Sequence, residues 1–400
     1  MWRSSKECVV KSKLLIPVLA LGVFGIITTE MGIIGVLPQV SEKFGITAST
    51  AGWLVGVFAL VVAVTGPFTT LITSGINRKT VLLVAIAVFA VSNMVYASTS
   101  SFEVMFVFRI IPAVVHPVFF ALALASAVRL VPPEEATAAV TKVFAGVTVG
   151  FAFGVPLTSY LAENFSVSTA FVFGAVVNVL AFLGIVVLLP SAPVTQRLSY
   201  GAQVGILRRP RVWLTILSVT FVFAAMFSVY GYFAEYLGGV TGMSGSWISA
   251  MLLAFGVVMI FGNFVFGAVL AKSVVRTVVA FPLLYIVVYV MLYLAGPYFG
   301  AMVVAVLVWG VVHSGGLVVS QSWMGRDAVD APEFGNSLFI SFSNLGITLG
   351  TAVGGLFLAH FETRQLVWAG VLFSVLALVT IGARLSLGHV HSENGVSAPV

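Results

Sequence analysis

Charge is what this sequence has least of. Only 8% of its 400 residues are Asp, Glu, Lys or Arg, against about a quarter in soluble globular proteins. Hydrophobic residues make up 60% of the chain and the mean hydropathy is +1.14. A soluble surface cannot be built from so few charges, so the chain reads as an integral membrane protein. Cysteine is nearly absent: Cys8 is the only one, ahead of the first apolar run, which excludes an intramolecular disulfide and a cysteine metal cluster and leaves the redox compartment unread. Neither His-Glu-x-x-His nor Gly-x-Ser-x-Gly occurs, so sequence support for a membrane-embedded enzyme is missing, and neither a catalytic residue, a metal site nor a cofactor is expected. The net charge of +6 does not point to nucleic acid, because the basic residues are scattered through short loops.

What is present is a series of apolar runs. They fall at 14–37, 49–73, 80–97, 104–128, 137–161, 167–189, 213–237, 247–270, 277–295, 299–323, 335–359 and 365–386. Each is near the ~20 residues a helix needs to cross a bilayer. Continuously apolar runs predict helices, since barrel strands alternate and are about ten residues long. The first run is longer than a signal-peptide core and is expected to be retained. The 39 glycines and 33 phenylalanines suit membrane helices that approach closely.

Placing the N-terminus in the cytoplasm puts 16 basic residues there (Arg3, Lys6, Lys11, Lys13, Arg78, Lys79, Arg129, Lys142, Arg197, Arg208, Arg209, Arg211, Lys272, Arg276, Arg326, Arg384) and only Lys43 and Arg364 outside. That asymmetry satisfies the positive-inside rule and predicts both termini in the cytoplasm. The break from Pro190 to Arg211 contains Pro190, Pro193, Pro210 and the cluster Arg208-Arg209-Pro210-Arg211. It divides the chain into an N-terminal bundle of six helices (1–189), a cytoplasmic linker (190–211) and a C-terminal bundle of six with a short tail (212–400). An internal repeat relates the halves: His116/His313, Arg129/Arg326 and Lys79/Arg276 are each 197 residues apart, and Gly150/Gly346 and Gly154/Gly350 are 196 apart. Parallel repeats of this kind are a feature of secondary transporters.

Two charges lie inside the spans. Glu30, in Thr28-Thr29-Glu30-Met31-Gly32, is about seven residues, roughly 10 Å, from the outer end of span one. Arg109, in Phe106-Val107-Phe108-Arg109-Ile110-Ile111-Pro112, is about six residues, roughly 9 Å, below the same surface in span four. Buried membrane charges pair, so Glu30 and Arg109 are the expected pair. Structural glue and a protonatable coupling site both fit it, because desolvation raises a carboxyl pKa and a neighbouring arginine lowers it. His116, on the Arg109 face of span four, titrates near neutrality when unperturbed; packing and cavity lining are both open for it.

Span five carries Gly146-x3-Gly150-x3-Gly154-Val155-Pro156, a flat strip for another helix followed by a proline that can bend the span. Gly346, Gly350 and Gly354 repeat the theme in span eleven. Tyr230, Tyr232, Glu235 and Tyr236 near the outer end of span seven fit either an interfacial belt or a binding surface, and Glu235 either snorkels to water or serves a gate. Gln321, Ser341 and Asn344 are polar groups suited to interhelical hydrogen bonds.

With these features in order, the chain resembles the major facilitator superfamily, and within it the twelve-helix drug:proton antiporters, most closely the bacterial sugar or arabinose efflux branch. Thr28-Thr29-Glu30 with Gly35-x-Leu37-Pro38 is similar to that branch's first helix, Arg109 to His116 to its fourth, Gly150 to Leu157 to the antiporter motif and Asn344-Leu345-Gly346-Ile347 to its eleventh. Two positions depart: Asn77 stands where the basic two-three loop, with Arg78 and Lys79, usually has an Asp, and Glu235 stands near the proline of a Tyr-x-x-Pro pattern. The resemblance implies an all-helical membrane protein with two six-helix bundles, monomeric, in the bacterial cytoplasmic membrane, exporting a small organic solute, a sugar or related metabolite, by proton antiport. A multidrug pump and a proton-independent uniporter or importer are the alternatives. It further implies proton coupling by Glu30, Arg109 and His116, a substrate cavity with Thr29, Tyr230, Tyr232, His313, Gln321 and Asn344, and gating or packing by Gly146, Gly150, Gly154, Pro156, Arg78, Lys79 and Glu235.

Overall fold

The computed structural model describes residues 5–129, 131–132, 135–191 and 201–393, which are almost entirely helical, with no strand among them. Among the described residues, twelve segments are long and apolar enough to cross a membrane. Nine are single helices: α3 (Ala48–Thr73), α4 (Arg78–Ser98), α5 (Phe102–Arg129), α8 (Val167–Leu188), α11 (Gly245–Lys272), α12 (Val274–Ala295), α13 (Phe299–Asp327), α14 (Pro332–His360) and α15 (Val367–Glu393). Side chains fix several starts: Thr47, Asn77, Ser166 and Ser273 each accept a hydrogen bond from a backbone N–H of the first turn of α3, α4, α8 and α12, satisfying donors that have no intrahelical partner.

The other spans are interrupted, each for a local reason. In span one, α1 (Ser5–Met31) tightens into a 3-10 turn at Gly32–Val36 before α2 (Leu37–Phe44), which starts with Pro38 in its first turn and ends at Gly45 with φ 63°. Only glycine adopts that left-handed cap at little cost. Span five runs from α6 (Ala136–Val149) through a wide π-turn at Gly150–Gly154 into α7 (Val155–Asn164). Pro156 has no N–H to continue the regular ladder, and the helix widens just before it. Span seven breaks at Gly231-Tyr232, between α9 (Pro210–Tyr230) and α10 (Phe233–Thr241).

The halves repeat one another. The starts of α3 and α11 are 197 residues apart, as are those of α5 and α13, while α2/α10, α4/α12 and α6/α14 are 196 apart. In both, glycines bring one helix onto the broken one. A Cβ on Gly146 would lie 2.4 Å from the Ala20 carbonyl oxygen, and on Gly350 2.4 Å from that of Ala224. Backbones this close leave no room for a side chain, the close approach small residues give membrane helices.

Across the halves, α14 packs on α3, and α11 on α7 and the π-turn. Thr348 Oγ1 donates to the Gly56 carbonyl at 3.1 Å, and the Ser159 and Ser249 hydroxyls lie 2.9 Å apart. Further close approaches pair Gly35 with Leu252, Gly52 with Tyr232, Ser49 with Gly355 and Glu163 with Gly245. All of these lie toward the end of the molecule remote from Arg78 and Lys79, here called the far end.

Candidate functional site

Helix α5 carries two prolines, Pro112 and Pro117, around His116. Pro112 cannot donate to the Phe108 carbonyl four residues back, and the Tyr96 hydroxyl donates to that carbonyl instead, at 2.8 Å. One turn earlier on α5, Arg109 is 1% exposed and its guanidinium lies 4.8 Å from the Phe58 ring centroid. Its N–H groups go to backbone oxygens: Nη1 to Thr29 at 2.7 Å, Nε to Leu54 at 2.9 Å, and Nη2 to Glu30. The Thr29 and Glu30 carbonyls sit where α1 leaves regular helical geometry, so they are acceptors that the ladder no longer fully uses.

The Glu30 carboxylate turns elsewhere. Its Oε2 lies 3.0 Å from His116 Nε2. The expected Glu30–Arg109 side-chain pair is therefore corrected: both charges do reach the same level, but arginine takes the backbone of residues 29 and 30 and histidine takes the acid. A planar guanidinium with five donors can satisfy several carbonyls at once, which suits it to a helix break. Glu30 and His116 are both more than nine-tenths buried. The rings of Phe58, Phe89 and Phe120 surround the imidazole at centroid distances of 5.6, 6.5 and 4.7 Å. Neither His116 nitrogen has a partner in hydrogen-bond geometry among the described residues, so the approach of Glu30 to Nε2 is a close charge contact. A carboxylate and an imidazole in contact inside such an apolar collar can hold or release a proton, and each state is costly unless the partner compensates.

The residues expected to line a substrate cavity fall in three environments. Thr29 faces away from the seam: its hydroxyl is held by Asn93 and Asn178 of α4 and α8. It is thus part of the bundle interior, because the residue after it on α1 takes the other face. His313 and Tyr230 are also packed rather than open. His313 Nδ1 lies 2.6 Å from the Tyr285 hydroxyl, and its ring is enclosed by Tyr230, Phe255, Phe227 and Trp309. Large rings fill the volume that a cavity wall would have to leave empty. Tyr232 belongs to the far-end seal, donating to the Thr351 carbonyl at 2.9 Å and pressing on Gly52 of the opposite half. Gln321 is exposed on α13. Asn344 donates to Ile340, and its Oδ1 has no partner among the described residues.

Of the gating and packing candidates, Gly146, Gly150 and Gly154 lie against Ala20, Ile27 and Thr28 of α1, and Pro156 is in the first turn of α7. Lys79 Nζ donates to the Val186 carbonyl at 2.6 Å. Arg78 Nη1 is buried without a partner among the described residues. Glu235 lines a cavity of about 350 Å³ at the far end together with Gln39, Glu42 and Glu163. Arg197 and the linker residues 192–200 lie outside the described residues.

One charged cluster escaped the sequence reading. Asp327, at the end of α13, receives Arg384 of α15 in a two-point contact, Nη2 to Oδ1 at 2.6 Å and Nε to Oδ2 at 3.0 Å. Arg211 Nε is 3.0 Å from Oδ1, and Thr215 Oγ1 donates to Oδ2. Arg384 lies 3.9 Å from the Trp323 ring centroid and is 2% exposed, so Arg109 is not the only buried arginine. Counting Arg384 among loop cations concealed it; its position in the last apolar run was the available signal.

Comparison with known proteins fits this architecture. The sequence model of the Major Facilitator Superfamily matches residues 19–333. The inner membrane transport protein YdhP of Escherichia coli K12 is 30% identical over 338 residues, 84% of this chain and 87% of that protein. A Mannheimia succiniciproducens protein named "Probable sugar efflux transporter" is 23% identical over 362 residues, 90% of this chain and 91% of its own. Among solved structures, the nucleoside transporter NupG superposes with a TM-score of 0.76 at 12% identity, covering 94% of this chain and 99% of that one. A bacterial homologue of the lysosomal transporter Spinster, in an inward-facing conformation, gives 0.76 at 15% identity, covering 99% and 100%.

Proposed function

This chain belongs to the major facilitator superfamily and is a multi-pass membrane transporter, not an enzyme; from that premise we propose that it exports a small organic solute in exchange for protons. The observation that carries the reading is the buried contact of Glu30 Oε2 with His116 Nε2 at 3.0 Å. An intramembrane acid paired with a titratable base is the kind of group that marks a proton path. With one proton between them the two form a compact pair of low net charge. A second proton leaves a neutral carboxyl beside an imidazolium, removes the attraction and frees α5 to move about Pro112 and Pro117. Arg109 keeps the backbone of residues 29 and 30 fixed while this happens.

Alternating access follows if the protonated and deprotonated pairs favour different arrangements of the halves, since a ligand shifts an equilibrium only by its differential affinity for the two states. Both termini and the basic loops lie in the cytoplasm, on the positive-inside asymmetry, in the inner membrane as for the Escherichia coli relative. In that orientation the far-end contacts close the outer side. The solute is a sugar or related metabolite; the name of the Mannheimia relative supports this class.

Purified protein in proteoliposomes, challenged with a panel of sugars, nucleosides and cationic drugs while internal pH is recorded, tests the reading. Substrate-driven proton movement is expected from the wild type and its loss from Glu30→Gln. Full proton-driven export against a gradient by Glu30→Gln would overturn it. Substrate movement without proton movement in the wild type would make the protein a uniporter.

A further inference from the structure

The hydroxyl of Thr29, one residue before Glu30, makes three hydrogen bonds. It donates to the Gly25 carbonyl at 2.8 Å and accepts from Asn93 Nδ2 at 2.8 Å and Asn178 Nδ2 at 3.2 Å. Each amide splits its two N–H groups between that hydroxyl and a carbonyl of its own helix, Phe89 for Asn93 at 2.9 Å and Gly174 for Asn178 at 2.8 Å. Glycine makes room for both: a Cβ on Gly25 would fall 2.6 Å from Asn178 Oδ1, and on Gly174 2.7 Å from Asn93 Oδ1. Asn93 and Asn178 are at most 1% exposed. Two buried amides on two different helices thus converge on one hydroxyl.

Residues 29 and 30 are successive on α1 and so point about 100° apart around its axis, at 3.6 residues per turn. Fixing Thr29 toward α4 and α8 therefore fixes Glu30 toward α5. The point needs fixing, because α1 ends at Met31 and the next five residues form a 3-10 turn. The last turn of a helix, with part of its ladder missing, is its softest part in rotation.

We infer that Asn93 and Asn178 are positioning residues for the proton site: through Thr29 they set the rotation of α1 so that the Glu30 carboxylate meets His116. This rests on the reading of Glu30 as the coupling group. The repeat offers an internal control. Ahead of the breaks in α1 and α9 the halves match at 200 residues, since Gly346 and Gly350 meet Thr220 and Ala224 as Gly146 and Gly150 meet Ala20 and Phe24, so Val229 stands for Thr29 and Tyr230 for Glu30, with Tyr289 for Asn93 and Ser374 for Asn178. There Tyr289 donates to the Ala225 carbonyl and Ser374 to Gly370, within its own helix. The same helices therefore pack without an amide clamp where no acid has to be aimed. The titratable groups around Glu30 are His116 and Arg109 on α5 and Tyr96 of α4, beside Arg109. Helices α3 and α8 carry none, and Lys142, Tyr160 and Glu163 of α6 and α7 are exposed.

The test reads Glu30 directly. In the purified full-length protein in lipid nanodiscs without substrate, the infrared carboxyl band that disappears in Glu30→Gln is titrated against pH. Thr29→Val, Asn93→Leu and Asn178→Leu should each move its midpoint by about half a pH unit or more, roughly threefold in proton affinity, and Thr29→Ser should restore the wild-type midpoint. Variants that keep the wild-type midpoint overturn the inference, even where they unfold at a lower temperature, since a merely structural clamp would lower stability and leave the titration unchanged. If Thr29→Val is not recovered folded, the two asparagine variants decide, as each retains the hydroxyl and the other amide. Should Glu30→Gln still couple protons to transport, the coupling reading falls, and the band titration still decides the positioning role.

Discussion

A step of 197 residues along the chain turns Arg109 into Val306, Pro112 into Trp309 and Pro117 into Ser314, while His116 becomes His313; in the broken helices, which match at 200, Tyr230 stands at the place of Glu30. The backbone frame is repeated, but its contents are not. In the N-terminal half the histidine meets a carboxylate on a helix with two prolines, and an arginine braces the facing helix break. In the C-terminal half the matching histidine meets a tyrosine hydroxyl and is walled in by aromatic rings on a helix without proline. The C-terminal half has the buried pair Asp327–Arg384 at the other end of its spans, with the partly exposed Arg211 beside it. Under the proposed proton coupling, the difference is a division of labour: the N-terminal half carries the group that changes charge, and the ring-packed C-terminal half is the body it works against.

That contrast can be broken at both ends. Asp327→Asn should have the largest effect, because it leaves the buried Arg384 without its counter-charge; breaking such a pair costs about 3–5 kcal/mol. The loss is expected in thermal unfolding of the detergent-purified protein, with proton coupling preserved in whatever folds. A next, smaller effect comes from exchanging roles. His116→Gln should reduce substrate-driven proton flux about tenfold or more, whereas His313→Phe should leave the proton-to-substrate ratio unchanged and cost about 1–3 kcal/mol for the stranded Tyr285 hydroxyl. Equal loss of coupling in both would abolish the asymmetry.

The seam between the halves can be sharpened in the same way. A Cβ on Gly256 would lie 2.3 Å from Ala152 Cα, so Gly256→Val should pry the far end apart. Increased labelling of a cysteine introduced at Ser249, on the seam, would report it, with a several-fold rise expected. The smallest effect is predicted for Asn77→Asp. The side chain still caps α4 at Lys79, since aspartate and asparagine cap about equally well, and only the 2.6 Å bond from Nδ2 to Ser191 is lost. A transport change of no more than about twofold is expected, and a larger one would give that loop a relay role despite its missing acid.

Much of the fold was legible without coordinates. Twelve apolar runs gave twelve spans, because a bilayer forces every crossing segment to satisfy its own backbone and so to become a helix of fixed minimum length. The glycine spacing at 146, 150 and 154, repeated at 346, 350 and 354, identified two close helix contacts. Equal depth brought Glu30 and Arg109 to one level, since 1.5 Å per residue converts sequence position into height. Height, however, says nothing about rotation around the helix axis. Which atom of Arg109 reaches which acceptor, whether Thr29 faces the seam or the bundle, and whether His313 borders space or fills it all depend on that rotation. Those were decided only when the helices packed. The Glu30–His116 contact, the amide clamp on Thr29 and the burial of Arg384 each join residues at least 57 positions apart, and their geometry comes from tertiary packing rather than from spacing along one chain.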